Sequence, residues 1–152
     1  MDVLFLAANV LFSAAYRADS ELRRLWRLVD VRLVTSAYVA EEARRNLEPG
    51  KQRQQLGALQ ELLEVVESGF MRDHPVVEQV DLAEKDVPVL VAAVELGATH
   101  LLTGDGRHFG KLFGHRVGGV RVIRPAEYLR VLGRCPRGAS AAPDSCCGRS
   151  RW

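Results

Sequence analysis

Residues 3–12 read VLFLAANVLF and decide the fold class of this chain. The run from Val3 to Leu6 is wholly apolar, which is typical of a parallel strand that is buried on both faces. Helical sequence follows, with Leu11, Ala14 and Ala15 spaced to share one face. A buried strand that leads straight into a helix indicates a βα unit, and a βα unit predicts an α/β fold.

The alternation of strand and helix continues outward from this stretch. Further strands are predicted at residues 31–34, from Val65, and at residues 100–103 and 120–123. The predicted helices lie after the capping residue Ser20 and at residues 37–47, 51–63, 85–96 and 125–132. Such a pattern predicts a three-layer α/β/α domain with a central, mostly parallel sheet.

Three details of this prediction concern two buried side chains and one loop. Val29 is expected to face the core from the helix after Ser20, and Leu62 to do so from the helix at residues 51–63. Residues 69–81, which contain Pro75, are expected to form a loop.

Length and composition indicate one domain. The 152 residues suffice for a single core, which we place at residues 1–132. Residues 133–152 are rich in Gly, Ser, Pro, Arg and Cys, so we expect a flexible tail. No apolar run reaches the roughly 18 residues of a membrane span. The first residues lack the basic start of a signal peptide, and no membrane association is expected.

Charge and cysteine content say little about function. A formal net charge of +2 neither requires nor excludes a nucleic-acid partner. Cys135, Cys146 and Cys147 are odd in number and lack the paired ligands of a zinc site. We therefore predict a cytoplasmic protein.

Three acidic residues lie at positions where an α/β sheet binds ligands. Asp105 directly follows the strand at residues 100–103, between two glycines that let the backbone bend. Asp86 lies at the start of a helix, where a simple capping role is the alternative. Glu42 lies one turn into the helix that follows the second strand, where it could equally be a surface residue, as could its neighbour Glu41.

The combination of these acids indicates metal chemistry. Carboxylates gathered at one edge of a sheet repel one another unless a cation lies between them. Mg²⁺ and Mn²⁺ prefer oxygen ligands and bind phosphates. A cation held in this way can lower the pKa of a water molecule and stabilise a charged transition state, which predicts phosphodiester hydrolysis.

Four segments resemble the PIN-domain family of ribonucleases. FLAANVLFSA at residues 5–14 resembles the family's opening strand, LDxNVL, and SAYVAEEARRNL at residues 36–47 resembles its second acidic helix. EKDVPVLVAA at residues 84–93 and HLLTGDGRHF at residues 100–109 resemble the segments with its third and fourth acids. The match covers about residues 3–132 and keeps the order of the elements.

The resemblance implies a role for each matched residue. Glu42, Asp86 and Asp105 would be catalytic residues that bind Mg²⁺ or Mn²⁺, with Glu42 preferred to Glu41 because the family's acid lies five residues before a core leucine. Asn9 would brace the site and Thr103 would support the Asp105 turn. The family includes toxins of bacterial toxin–antitoxin pairs, so RNA, an antitoxin and a second copy of the chain are the expected partners.

The chain departs from the family at Ala7, where the family has aspartate. A methyl group cannot bind a cation, so cleavage is predicted to be crippled. Either the residue was deliberately substituted to silence a toxic nuclease, or the loss is natural and the domain binds without cutting. The intact remainder of the motif favours substitution.

The function has three alternatives at this point. The first is a single-strand-preferring endoribonuclease. The second is a non-catalytic PIN-like module that binds RNA or protein. The third is a toxin whose acidic cleft is covered by an antitoxin, with a basic side chain of the partner in place of the metal. Arg107, His108 and Lys111 are the candidate RNA contacts, although His108 could also be a loop histidine that faces solvent.

Overall fold

The computed structural model describes residues 1–17, 19–67 and 75–134. Six strands form one sheet in the order β3-β2-β1-β4-β6-β5. Five strands are parallel, and only the edge strand β5 runs antiparallel to its neighbour β6. The strands are β1 (Asp2–Leu6), β2 (Val31–Ser36), β3 (Glu64–Val66), β4 (His100–Leu102), β5 (Arg116–Val117) and β6 (Val120–Ile123).

Seven α-helices occur in the described part of the chain: α1 (Ala8–Tyr16), α2 (Ala37–Asn46), α3 (Lys51–Gln60), α4 (Val76–Gln79), α5 (Val87–Leu96), α6 (Gly106–Phe109) and α7 (Pro125–Arg134). Two 3₁₀ helices, Glu21–Arg27 and Gly110–Leu112, join them. Residue Ser36 begins α2 by accepting a hydrogen bond from the Val39 N–H at 3.2 Å. Gly97 ends α5 in the left-handed conformation, with φ of 76°.

Helices cover both faces of the sheet. Side chains of successive strand residues point to opposite faces, yet Leu4, Phe5 and Leu6 of β1 are all fully buried. The predicted three-layer α/β architecture with a mostly parallel sheet is confirmed.

The order of the strands creates a switch point beside β1. The chain runs from β1 outward to β2 and β3, and then returns to place β4 on the other side of β1. Leu6 of β1 lies opposite Leu102 of β4, so the two strands end together. In open parallel sheets, ligands bind in the crevice that such a reversal leaves at the carboxyl ends of the strands.

Several local predictions were wrong. Helix α3 ends at Gln60, because the chain must turn into β3, and Leu62 is 71% exposed. The helix after Ser20 is a 3₁₀ helix that ends at Arg27, so Val29 does not continue its buried face and is 75% exposed. Part of the predicted loop at residues 69–81 is the short helix α4.

Strand β5 was not predicted from the sequence. It pairs with β6 through Gly118 and Gly119, which both have positive φ. Two consecutive glycines between strand residues are a signal for such a hairpin.

The structure bears on the predicted last helix, on the residues that follow it and on membrane-spanning helices. The final helix continues to Arg134, so the first two residues of the tail predicted at residues 133–152 are helical, and the rest of that tail, with its cysteines, lies outside the described residues. Within the described ranges, no helix has the length and apolar character that crossing a membrane requires.

Candidate functional site

A cleft of about 360 Å³ opens at the carboxyl ends of β1 and β4. Its polar lining comes from four different segments of the chain, namely the start of α1, helix α2, the start of α5 and the turn after β4. The lining residues are Ala7, Ala8, Asn9, Phe12, Glu42, Asn46, Lys85, Asp86, Val89, Asp105 and Phe109. All three acids that the sequence singled out therefore border one space at the switch point of the sheet.

Asn9 and Thr103 tie the turn after β4 to the start of α1. The Asn9 amide donates to the Thr103 hydroxyl at 3.0 Å, and the Asn9 carbonyl accepts from the Gly104 N–H at 2.8 Å. Thr103 is fully buried, and its hydroxyl also accepts from the Asp105 N–H at 3.1 Å. Both residues thus fix the backbone that carries Asp105.

The Asp105 carboxylate is held in one orientation. Its Oδ1 accepts from the N–H groups of Arg107 and His108, both at 3.1 Å, and so caps α6. Its Oδ2 lies 2.6 Å from Nδ1 of His108. Burial opposes the charge, but the hydrogen bonds from His108 and Arg107 outweigh it and lower the pKa of Asp105.

Asp86 has the opposite environment. It precedes α5, but its side chain makes no capping hydrogen bond, so a simple capping role for this residue is wrong. The side chain is only 13% exposed. Burial raises the pKa of Asp86, the nearby charge of Asp105 adds to this effect, and His108 and Lys85 oppose it.

The Asp86 carboxylate fits a bound cation. Its Oδ2 is buried and has no hydrogen-bond partner among the described residues. A buried oxygen without a partner costs free energy, and native proteins rarely leave one in that state. Nδ1 of His108 lies 3.6 Å from this oxygen, beyond ordinary hydrogen-bond length. An ion shared with Asp105 would compensate both carboxylates.

The structure separates Glu42 from Glu41. Glu42 is half-buried and lines the cleft, whereas Glu41 is exposed and pairs with Arg44 at 3.2 Å. Because neighbouring residues of a helix point in directions about 100° apart, only one of the two can face the cleft. The placement agrees with the choice of Glu42.

Tyr38 is a residue of this site that the sequence reasoning missed. Its hydroxyl donates to the Lys85 carbonyl at 3.0 Å, which joins α2 to the segment before α5. Burial raises the pKa of Tyr38, and the negative charges of Glu42 and Asp86 raise it further. Tyr38 lies four residues before Glu42 on the same helix, so the helical period would have placed it on the same face.

His108 is partly buried in a short helix, so the interpretation as a loop histidine that faces solvent was wrong. It lies in α6, its side chain is 30% exposed, and its imidazole contacts Asp105. Arg107 is exposed beside it. Lys111 is almost fully exposed and lies 3.8 Å from Asp81, outside the lining of the cleft.

Ala7 lies at the centre of this arrangement. It is 4% exposed, follows the last residue of β1 and is the N-cap residue of α1, without a side-chain cap. Its N–H donates to the Leu102 carbonyl at 3.0 Å, which joins it to β4. A polar side chain here would both cap the helix and enter the cleft, and alanine does neither.

No protein-family model matches the chain, and no curated relative matches it. Solved structures do. VapBC2 from Rickettsia felis, bound to a DNA fragment from their promoter, superposes with a TM-score of 0.60 at 13% identity. The match covers 80% of this chain and 98% of that one.

VapC20 from Mycobacterium tuberculosis, a sarcin-ricin loop cleaving toxin, superposes with a TM-score of 0.51 at 16% identity. This match covers 68% of the present chain and 91% of the toxin. At such low identity the comparisons establish the fold, and it is the PIN-like fold that the sequence resemblance implies.

Proposed function

We propose that this chain, which has the fold of PIN-domain toxins, is a Mg²⁺- or Mn²⁺-dependent endoribonuclease scaffold whose cleavage is crippled at Ala7. The observation that carries the proposal is the buried Oδ2 of Asp86, which has no hydrogen-bond partner among the described residues and lies in a cleft shared with Asp105 and Glu42. Such a carboxylate is costly unless the site is built for a cation.

Each acid has a distinct part in this proposal. Asp86 and Asp105 would hold the ion, because a carboxylate oxygen of each lies in the same cluster, within 4.8 Å. Glu42 would approach from the opposite wall of the cleft, on α2. A divalent cation there would supply Lewis-acid activation of water and neutralise charge on the scissile phosphate.

The remaining residues would orient the site and the RNA. Asn9 and Thr103 hold the Asp105 turn, so the Asp105 carboxylate need not be ordered when substrate binds. Arg107 is exposed beside the cleft and would contact a phosphate of the RNA backbone, because its guanidinium can donate two hydrogen bonds at once. Lys111 would act farther out as a mobile positive charge, given its exposure.

An antitoxin is the proposed protein partner. The fold is shared with a VapBC2 structure, and the cleft has three acids without a matching set of cations in its lining, where Lys85 is the one basic residue. A basic side chain of a partner would pair with these carboxylates in place of the metal. A homodimer and a cytoplasmic location stay predictions from the sequence.

Restoring the fourth acid tests the catalytic proposal. We expect the Ala7→Asp variant to gain cleavage of single-stranded RNA with Mn²⁺ and to lose it with EDTA, because the new carboxylate completes the ligand set. Ala7→Asn is the matched control, since it offers the same shape and the same helix cap without the charge. It should show no comparable gain.

The result that would overturn the catalytic proposal is an Ala7→Asp variant that is folded and binds RNA but does not cleave it with either metal. In that case the non-catalytic binding module becomes the better description. Circular dichroism of all three proteins would establish that they fold alike.

A further inference from the structure

We propose that His108 is itself a ligand of the cation between Asp86 and Asp105, and that the site consequently prefers Mn²⁺ to Mg²⁺. This inference rests on the proposed metal site. It adds a nitrogen donor to a ligand set that the sequence predicts to be made of carboxylates alone.

The geometry already brings three donors together. One ligand atom of Asp86, of Asp105 and of His108 all lie within 4.8 Å of one another. Nδ1 of His108 lies 2.6 Å from Oδ2 of Asp105 and 3.6 Å from Oδ2 of Asp86. Ligands at about 2.0–2.2 Å from one ion lie up to about 4.4 Å apart, so small side-chain rotations would place an ion among the three atoms. The ion would replace the proton that Nδ1 of His108 shares with Oδ2 of Asp105, and that proton would leave to solvent.

Local structure fixes the imidazole on the side of the carboxylates. His108 lies three residues after Asp105, and the backbone N–H of His108 donates to Asp105 Oδ1. This bond holds both residues in the first turn of α6. The imidazole and Oδ2 of Asp105 therefore lie on the same side of the turn, facing Asp86.

The identity of residue 7 makes a third donor important. Ala7 lines the cleft between the two strands and offers no ligand atom. Even with Glu42, carboxylates alone would leave part of an octahedral coordination shell to water. The imidazole raises the number of protein donors at the point where the family's first aspartate is absent.

A nitrogen donor changes the preferred metal. Mg²⁺ takes oxygen ligands and loses its water reluctantly, whereas Mn²⁺, a first-row transition metal, accepts one nitrogen ligand among oxygens more readily than Mg²⁺ does. Carboxylates together with one imidazole therefore favour Mn²⁺ over Mg²⁺. An all-carboxylate set would discriminate less between the two ions.

Electron spin echo spectroscopy of Mn²⁺ bound to the full chain tests the proposal directly. We expect modulation from a coordinated nitrogen that changes when the histidines carry ¹⁵N and disappears in His108→Ala. Titration calorimetry should show the ratio of Mn²⁺ to Mg²⁺ affinity falling by about tenfold or more in the same variant. His115→Ala is the matched control, because His115 is exposed on the same segment and lies outside the cleft.

The spectroscopic signal decides between a ligand and a positioning residue, since losing either kind of residue weakens metal binding. Mn²⁺ binding with no nitrogen modulation would overturn the role of His108 and leave the proposed metal site standing. Binding of neither ion, in the present chain and in Ala7→Asp alike, would overturn both proposals.

Discussion

At the scale of single residues, the site depends on a few buried polar groups with fixed partners. Thr103 is the central one, because its hydroxyl accepts from both the Asn9 amide and the Asp105 N–H. Asn9 adds a second bond to the same turn through Gly104. The backbone of the turn that carries Asp105 is therefore held by hydrogen bonds that do not involve the Asp105 carboxylate.

Replacing Thr103 with valine tests this network. The Thr103→Val variant keeps the shape of the side chain but leaves two donors without their acceptor. We expect the free energy of unfolding to fall by about 1–3 kcal/mol, as measured by urea denaturation.

Thr35→Val is a graded comparison, since the buried Thr35 hydroxyl makes one bond, to the Leu6 carbonyl at 2.9 Å. It should cost about 1 kcal/mol. Equal losses in the two variants would show that the double role of Thr103 has no energetic consequence.

At the scale of elements, two glycines in helical surroundings have opposite roles. Gly57 lies inside α3, where a side chain would meet nothing within 4 Å. Gly97 also has open space around it, but it ends α5 with a positive φ. Any difference between the two substitutions must therefore come from backbone conformation.

We expect Gly57→Ala to raise the free energy of unfolding by about 0.5–1 kcal/mol, because alanine restricts the unfolded chain and fits a helix. Gly97→Ala should lower it by about 1–2 kcal/mol, because the left-handed conformation strains a side chain. Thermal and urea unfolding of the pair would measure both changes. Changes of the same sign in the two variants would contradict the assigned roles.

At the scale of the whole molecule, a polar cluster lies at the amino ends of β1 and β4, whereas the cleft lies at their carboxyl ends. The Tyr128 hydroxyl of α7 donates to Asp2 of β1 at 2.6 Å. The ring of His100 in β4 packs edge-on against Tyr128, with the ring centres 5.1 Å apart. The cluster thus joins the first strand, the fourth strand and the last helix.

His100 makes stability depend on pH. Burial lowers the pKa of His100 from 6.5, Arg121 and Arg116 lower it further, and Asp2 opposes them. The folded state then binds the proton more weakly than the unfolded state does. The contribution of His100 to the free energy of unfolding is therefore fully present above pH 6.5. It is lost as the pH drops from there toward the lowered pKa of His100 in the folded state.

The His100→Phe variant keeps a ring against Tyr128 without the titrating group. We expect the loss of unfolding free energy between pH 8 and about pH 5 to be smaller in this variant than in the parent chain. Urea denaturation at both pH values measures the difference. An equal loss in the two proteins would mean that other groups cause the pH dependence.

The sequence alone determined the kind and order of most elements, although it missed β5 and α4. Apolar runs such as Val3–Leu6, the cap at Ser36 and the stop at Gly97 act over a few residues, so their effects can be read locally. It also placed Asp105 after a strand and Asp86 at a helix start. The prediction of burial was wrong where the helical period was continued past the end of the helix, as at Val29 and Leu62.

Only the tertiary structure decided which of these residues meet. Asp86 and His108 lie 22 positions apart, and their 3.6 Å contact depends on how α5 and α6 pack beside β1 and β4. The same packing places Glu42 at the cleft and leaves Asp86 Oδ2 without a hydrogen-bond partner among the described residues. Distances of this kind depend on the return of the chain across the sheet, which no local sequence pattern encodes. They bring acids that are far apart in the sequence into one candidate site.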